Sequence, residues 1–103
     1  MEDGMFGLSG ATIKTLHLLL HDFPEIDEVV LYGSRAMGRH HVGSDIDLTL
    51  KGDQIPLSLL HRLTQAVDDL LLPYTFDISI YNHISNESLK DHIQRVGVVF
   101  YRR

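Results

Sequence analysis

The run Asp45-Ile46-Asp47-Leu48-Thr49-Leu50-Lys51 alternates polar and apolar residues at every step. Successive side chains of an extended strand point to opposite sides, so this period describes a strand with one buried face. Ile46, Leu48 and Leu50 are thereby assigned to a core. Asp45 and Asp47 project together from the other face, about 6–7 Å apart.

The surrounding segments supply the layers that such a strand needs. From Ser9 to about His21 the apolar residues Ile13, Leu16, Leu19 and Leu20, followed by Phe23, recur at three- and four-residue intervals. With Ser9 available as N-cap and Pro24 beyond the end, this spacing predicts an amphipathic helix. Glu28–Tyr32 is a short β-branched and aromatic run that stops at Gly33, and it reads as a buried strand. Ser34–Gly38 offers a short helix start, and 39–44 is a polar, glycine-bounded loop.

Leu59, Leu60, Leu63, Ala66, Val67 and Leu70 predict a second helix from Pro56 to about Leu72, closed by Pro73. Tyr74–Tyr81 alternates again, with Phe76, Ile78 and Ile80 on one face and Asp77, Ser79 and Tyr81 on the other. Asn86–Arg95 has a capping residue, an early Glu87, a late Arg95 and then Gly97, the charge order that complements a helix dipole. Val98–Tyr101 adds a last strand. The expected fold is a small α/β (α+β) unit, a mixed sheet with helices packed on one face.

A chain of 103 residues is expected to form one domain over 1–103, loose over 1–7, with no room for a separate substrate-binding domain. Its formal charge of -5 argues against direct binding of nucleic acid, whose affinity for proteins comes largely from Lys and Arg. There are no cysteines, so any metal must be held by carboxylates or histidines, and a reducing interior suits the chain. The apolar stretches are too short to span a membrane. The opening Met1-Glu2-Asp3 lacks the basic start of a signal peptide, and the expected location is cytoplasmic.

If the strands carrying Asp45, Asp47 and Asp77 pair, three carboxylates converge and repel one another unless a cation is present. Hard oxygen ligands suit magnesium, which takes one or two carboxylates together with phosphate oxygens and water. Taken alone, an Asp-x-Asp pair on a solvent-facing strand is most often just solubilising. Gly33-Ser34 changes the balance, because it follows a buried strand and offers close backbone approach, amide groups and a hydroxyl for phosphate.

Other residues are given structural readings. Arg35 and Arg39 are loop arginines of a kind usually solvated, and they are left outside the core site. His40 and His41 are adjacent and point apart in an extended loop. His17 and His21 fit the polar edge of the first helix, and Tyr32, Tyr74, Tyr81 and Tyr101 fit packing at strand ends.

Read as one string, Gly33-Ser34, ten intervening residues and Asp45-Ile46-Asp47 match a Gly-Ser-x10-Asp-x-Asp signature. The chain therefore resembles the minimal nucleotidyltransferases (MNT) of the DNA polymerase β-like superfamily. The likeness runs through Gly33-Ser34-Arg35-Ala36-Met37-Gly38 and Gly43-Ser44-Asp45-Ile46-Asp47-Leu48, and more loosely from about Glu28 to Tyr101.

The resemblance implies that Asp45 and Asp47 bind the metals, that Asp77 completes the acidic set and helps activate an acceptor hydroxyl, and that Gly33 and Ser34 contact the triphosphate. It further implies two magnesium ions, ATP as donor and AMP as the transferred group. Small enzymes of this type commonly act as antitoxins beside a HEPN-domain ribonuclease toxin, which makes a tyrosine of that toxin the implied acceptor. Two alternatives stand beside this one: a nucleotide-binding antitoxin subunit that acts by occupying its partner, and an enzyme modifying an aminoglycoside-like alcohol. A homo-oligomer is left open.

Overall fold

The computed structural model describes residues 4–41 and 43–103. Its elements are α1 (Gly10–His21), β1 (Glu28–Tyr32), β2 (Ile46–Lys51), α2 (Leu57–Asp69), β3 (Phe76–Ile80), a single 3-10 turn (Tyr81–His83), α3 (Glu87–Val96) and β4 (Val98–Arg102). The strands form one mixed sheet in the order β3-β2-β1-β4. β1 is antiparallel to both β2 and β4, and β2 runs parallel to β3. A parallel pair needs a crossover, and α2 provides it.

Local chemistry sets most of the element ends. The Ser9 hydroxyl accepts from the Thr12 amide at 3.1 Å and caps α1, while Asn86 Oδ1 accepts from the Leu89 amide at 3.1 Å and caps α3. α2 ends at Asp69, short of the expected Leu72, and Leu71 takes a left-handed backbone with φ 54°. Of the start expected to be loose, residues 1–3 lie outside the described residues. Met5 and Leu8 exchange two backbone hydrogen bonds, and Leu8 is buried in the core.

The main core lies between one face of the sheet and the helices α1 and α2. Val29 and Leu31 of β1, Ile46, Leu48 and Leu50 of β2 and Ile80 of β3 meet Leu16 and Leu20 of α1 and Leu59, Leu63 and Val67 of α2. This is the layer that the alternation predicts, and the α+β class is as expected. The arrangement of helices departs from that expectation in one respect. α3 packs on the opposite face, where Ile93 meets Val30 and Tyr32. The physical reason is that Val30 and Tyr32 give β1 a second apolar face, which also has to be covered. The β2–β3 half of that face carries Asp47, Thr49, Asp77 and Ser79.

Candidate functional site

Register alone assembles the centre of the site. Tyr32 is the Cα partner of Asp47 across β1–β2, and Asp47 is the Cα partner of Asp77 across β2–β3. Cross-strand partners share a face of the sheet, with neighbouring strands about 4.8 Å apart. The row Tyr32, Asp47, Asp77 therefore crosses three strands on the face away from α1 and α2. Asp45 lies just before β2 and, two residues from Asp47, belongs to the same side. The three aspartates singled out from sequence thus stand at one end of the sheet.

The electrostatics agree with this crowding. Burial is the main cause that pushes the Asp47 carboxyl above its ordinary value of 3.8, with the charges of Asp77 and then Asp45 adding to it. His92 and Arg35 act in the other direction. Tyr32 is also raised above its ordinary value of 10.0, first by burial and then by Asp77 and Asp47, while a hydrogen bond with Ser79 opposes the shift. Tyr32 therefore keeps its proton at neutral pH. Ser79 in turn donates to the Thr49 hydroxyl at 3.0 Å, and Thr49 is fully buried.

Gly33 ends β1 with φ 78°, and a Cβ placed there would fall on Asp47 Oδ2. Only glycine lets the backbone pass so close to that carboxylate. The chain that follows makes turns and not the short helix expected over Ser34–Gly38: the Met37 amide donates to the Gly33 carbonyl at 3.2 Å and the Arg39 amide to the Ser34 carbonyl at 2.8 Å. The turn stops at Gly38, whose φ of 70° takes the backbone out of the right-handed helical region. Among the described residues the Ser34 hydroxyl has no protein partner, which leaves it available to a ligand.

Arg35 is 4% exposed. Its Nε and Nη2 donate to the Ser44 carbonyl at 3.2 and 2.9 Å, its Nη1 donates to the Phe6 carbonyl at 2.7 Å, and its guanidinium lies 5.5 Å from the Tyr74 ring centre. It closes the 34–44 loop onto the segment before α1, so that Gly33 and Asp45 arrive at the two ends of a braced connection. His92 of α3 sets its ring edge-on to Tyr32, with centroids 6.2 Å apart. Tyr32, Ser79 and His92 had no place in the reading of the sequence as site residues. The alternation of β3 marks Ser79 as lying on the face of Asp77, while Tyr32 is placed there by the β1–β2 register and nothing local marks His92.

Among the described residues, no three His, Asp or Glu side chains form a ready-made metal cage. The donor chemistry nevertheless fits magnesium carried in by a nucleotide, since that ion retains waters and phosphate oxygens and takes only one or two carboxylates from the protein. The mutual repulsion felt at Asp47 is what a divalent cation would relieve.

The match with known proteins follows this geometry. The model of the polymerase beta nucleotidyltransferase family matches residues 14–103, and the chain belongs to that family. Comparison with curated proteins gives no match. Among solved structures, a chain of a toxin–antitoxin complex with AMP-PNP aligns at a TM-score of 0.71 and 22% identity, over 88% of this chain and 73% of that one. A tri-AMPylated Shewanella oneidensis HEPN toxin in complex with its MNT antitoxin aligns at 0.66 and 18%, over 90% and 71%. An MntA–HepT toxin–antitoxin pair aligns at 0.57 and 18%, over 90% and 72%. At these identities the likeness is one of fold, the polymerase β-like nucleotidyltransferase fold.

Proposed function

We propose that the protein transfers AMP from magnesium-bound ATP to a hydroxyl of a partner protein, a tyrosine of a cognate HEPN toxin, and acts in the cytoplasm as that toxin's antitoxin, the 103 residues working as one domain. The observation that carries this reading is the register that sets Asp47 beside Asp77 with Asp45 two residues away. Family membership and fold likeness to antitoxins of HEPN pairs, one complex holding an AMPylated toxin, support the choice of donor and acceptor.

In this reading Gly33 and the backbone after it receive the triphosphate, and the Ser34 hydroxyl donates to it. Asp45, Asp47 and Asp77 would hold the magnesium. When bound, one or two such ions would neutralise the triphosphate and stabilise the charge that develops on the attacking and leaving oxygens. Asp77 is exposed, at the edge strand of the sheet, where an incoming hydroxyl can reach it. It orients that hydroxyl and accepts its proton. The hydroxyl oxygen bonds to the α-phosphorus, the bond from that phosphorus to the bridging oxygen breaks, and pyrophosphate leaves. Tyr32, held protonated, fixes the wall of the site through Ser79 and takes no part in the proton transfer.

Incubation with labelled ATP, magnesium and the product of the neighbouring gene is the direct test. A mass gain of one or more AMP units on a tyrosine of that protein is expected. An unmodified partner in a stable complex, with label instead on RNA or a small alcohol, would overturn the assignment of the acceptor.

A further inference from the structure

The face that α3 lays on the sheet holds one polar side chain. Leu89, Ile93 and Val96 belong to one apolar cluster with Val30 and Tyr32, and His92 falls among them at the spacing i, i+3, i+4, i+7. An apolar residue would fill that place as well. His92 is half-buried, its ring lies edge-on to Tyr32, and among the described residues neither ring nitrogen has a hydrogen-bond partner. The cationic side chains of α3 are engaged on the helix surface, Lys90 with Glu87 and Arg95 with Asp91.

The order of the cross-strand row shows where that ring stands. Asp77, Asp47 and Tyr32 are successive partners, so Tyr32 flanks Asp47 on the side opposite Asp77. His92 packs on Tyr32 and therefore marks that flank, one residue from the turn at Gly33. Its ring is within electrostatic reach of the Asp47 carboxyl, which it acts to lower. Arg35 acts in the same direction, yet its guanidinium already donates to the Ser44 and Phe6 carbonyls. A face that carries three aspartates needs hydrogen-bond donors before it can hold a polyphosphate. An imidazole supplies an N–H whether neutral or protonated.

Displacement at the α-phosphorus is in-line, so the entering oxygen and the leaving pyrophosphate lie on opposite sides of it. With the hydroxyl entering beside Asp77, at one end of the row, the pyrophosphate departs toward the other end, where Gly33 and His92 stand. We propose that His92 is a phosphate-contacting residue of this site: one ring N–H donates to an oxygen of the β- or γ-phosphate and stabilises the charge that pyrophosphate gains as it leaves. The inference rests on nucleotidyl transfer as the work of the carboxylate site.

Two replacements separate the N–H from the ring. His92→Phe keeps the edge-on contact with Tyr32 and removes the donor, whereas His92→Gln keeps a donor and removes the ring. Each folded variant is titrated calorimetrically with Mg-ATP, Mg-pyrophosphate and AMP. His92→Phe should bind the first two about tenfold more weakly than the parent and AMP equally well, and His92→Gln should return to within about threefold of the parent. In the isotope-labelled parent, Mg-pyrophosphate should shift the ring nitrogen signals of His92, a readout that depends on no variant. Parent-like binding of Mg-pyrophosphate by His92→Phe, an equal loss of AMP affinity, or an unmoved His92 ring would overturn the assignment. The double replacement Asp45→Asn with Asp47→Asn keeps the two failures apart. If it abolishes Mg-ATP binding while His92→Phe leaves binding unchanged, the carboxylate site stands and only the His92 contact is lost; if Mg-ATP binds equally well to both, the carboxylate site falls with it.

Discussion

Asp47 and Asp77 are direct Cα partners on parallel strands, so the two carboxylates lie side by side across β2 and β3. Each strand could satisfy its own apolar face with any polar residue at these positions. That both are aspartates sets two like charges against each other, a repulsion that a divalent cation would relieve on the proposed reading.

The first prediction follows from that repulsion. Asp47 titrates above its ordinary value, chiefly through burial and then through Asp77 and Asp45. The protonated form is therefore favoured by folding, and this contribution is full below about pH 4 and is lost as the pH rises through the raised value. Asp47→Asn should raise the Tm of the metal-free protein by a few degrees at pH 7. The gain should shrink toward zero as the pH falls to about 4. Calorimetric scans at the two pH values measure the difference, and a variant less stable than the parent at pH 7 would contradict the assignment.

Nucleotide binding should respond in the opposite direction. Asp45→Asn combined with Asp47→Asn leaves the hydrophobic face of β2 untouched and should abolish magnesium-dependent ATP binding in a folded protein. Isothermal calorimetry reads this directly, and equal Mg-ATP affinity in the folded double variant would reject the site.

Asp77→Asn should separate binding from chemistry. Asp45 and Asp47 remain to hold the nucleotide's metal, so ATP affinity should fall by less than about tenfold, whereas AMP transfer should fall by a factor of about 10²–10⁴, the range that general-base catalysis contributes. A transfer rate equal to that of the parent, measured with a verified acceptor, would remove Asp77 from the proton-accepting role.

Gly33→Ala tests how closely the backbone approaches Asp47. The added Cβ meets the carboxylate oxygen, and the left-handed φ of 78° is itself strained for alanine. A loss of about 1–3 kcal/mol is expected from urea denaturation, together with weakened ATP binding.

Arg35 is predicted to be a structural brace. Arg35→Ala leaves the carbonyls of Ser44 and Phe6 without their buried donors and should cost about 2–4 kcal/mol. Arg35→Lys should recover only part of that, since an ammonium cannot span both carbonyls as the planar guanidinium does. Denaturant midpoints of the two variants give the ordering.

How far the sequence disclosed this arrangement depends on the range of the interactions involved. Strand patterning is local, so the faces of Asp47 and Asp77 could be read from periods of two, the limits of β1 from its continuous apolar run ending at Gly33, and the caps Ser9 and Asn86 from single residues. The position of α3 was not legible, because its Ile93 contact with Val30 and Tyr32 joins segments more than sixty residues apart in chain position. Arg35 was misleading for a related reason. A loop arginine is ordinarily solvated, and only the distant carbonyls of Phe6 and Ser44 decide that this one turns inward. His92 reaches Tyr32 through the same long-range packing of α3, and no spacing in the chain announces it.

The parallel pairing of β2 with β3 also governs when the protein becomes competent. β1 and β2 can meet as soon as the 34–44 loop closes, and that hairpin already carries Gly33, Ser34, Asp45 and Asp47. Asp77 joins them only after the chain has travelled through α2 and laid β3 along the far side of β2, a slower closure of higher contact order. A newly made chain that has its hairpin but not its crossover would therefore hold, on the proposed reading, the groups assigned to phosphate without the carboxylate assigned to the acceptor. On that reading, completion of the fold is itself the step that would arm the proposed chemistry.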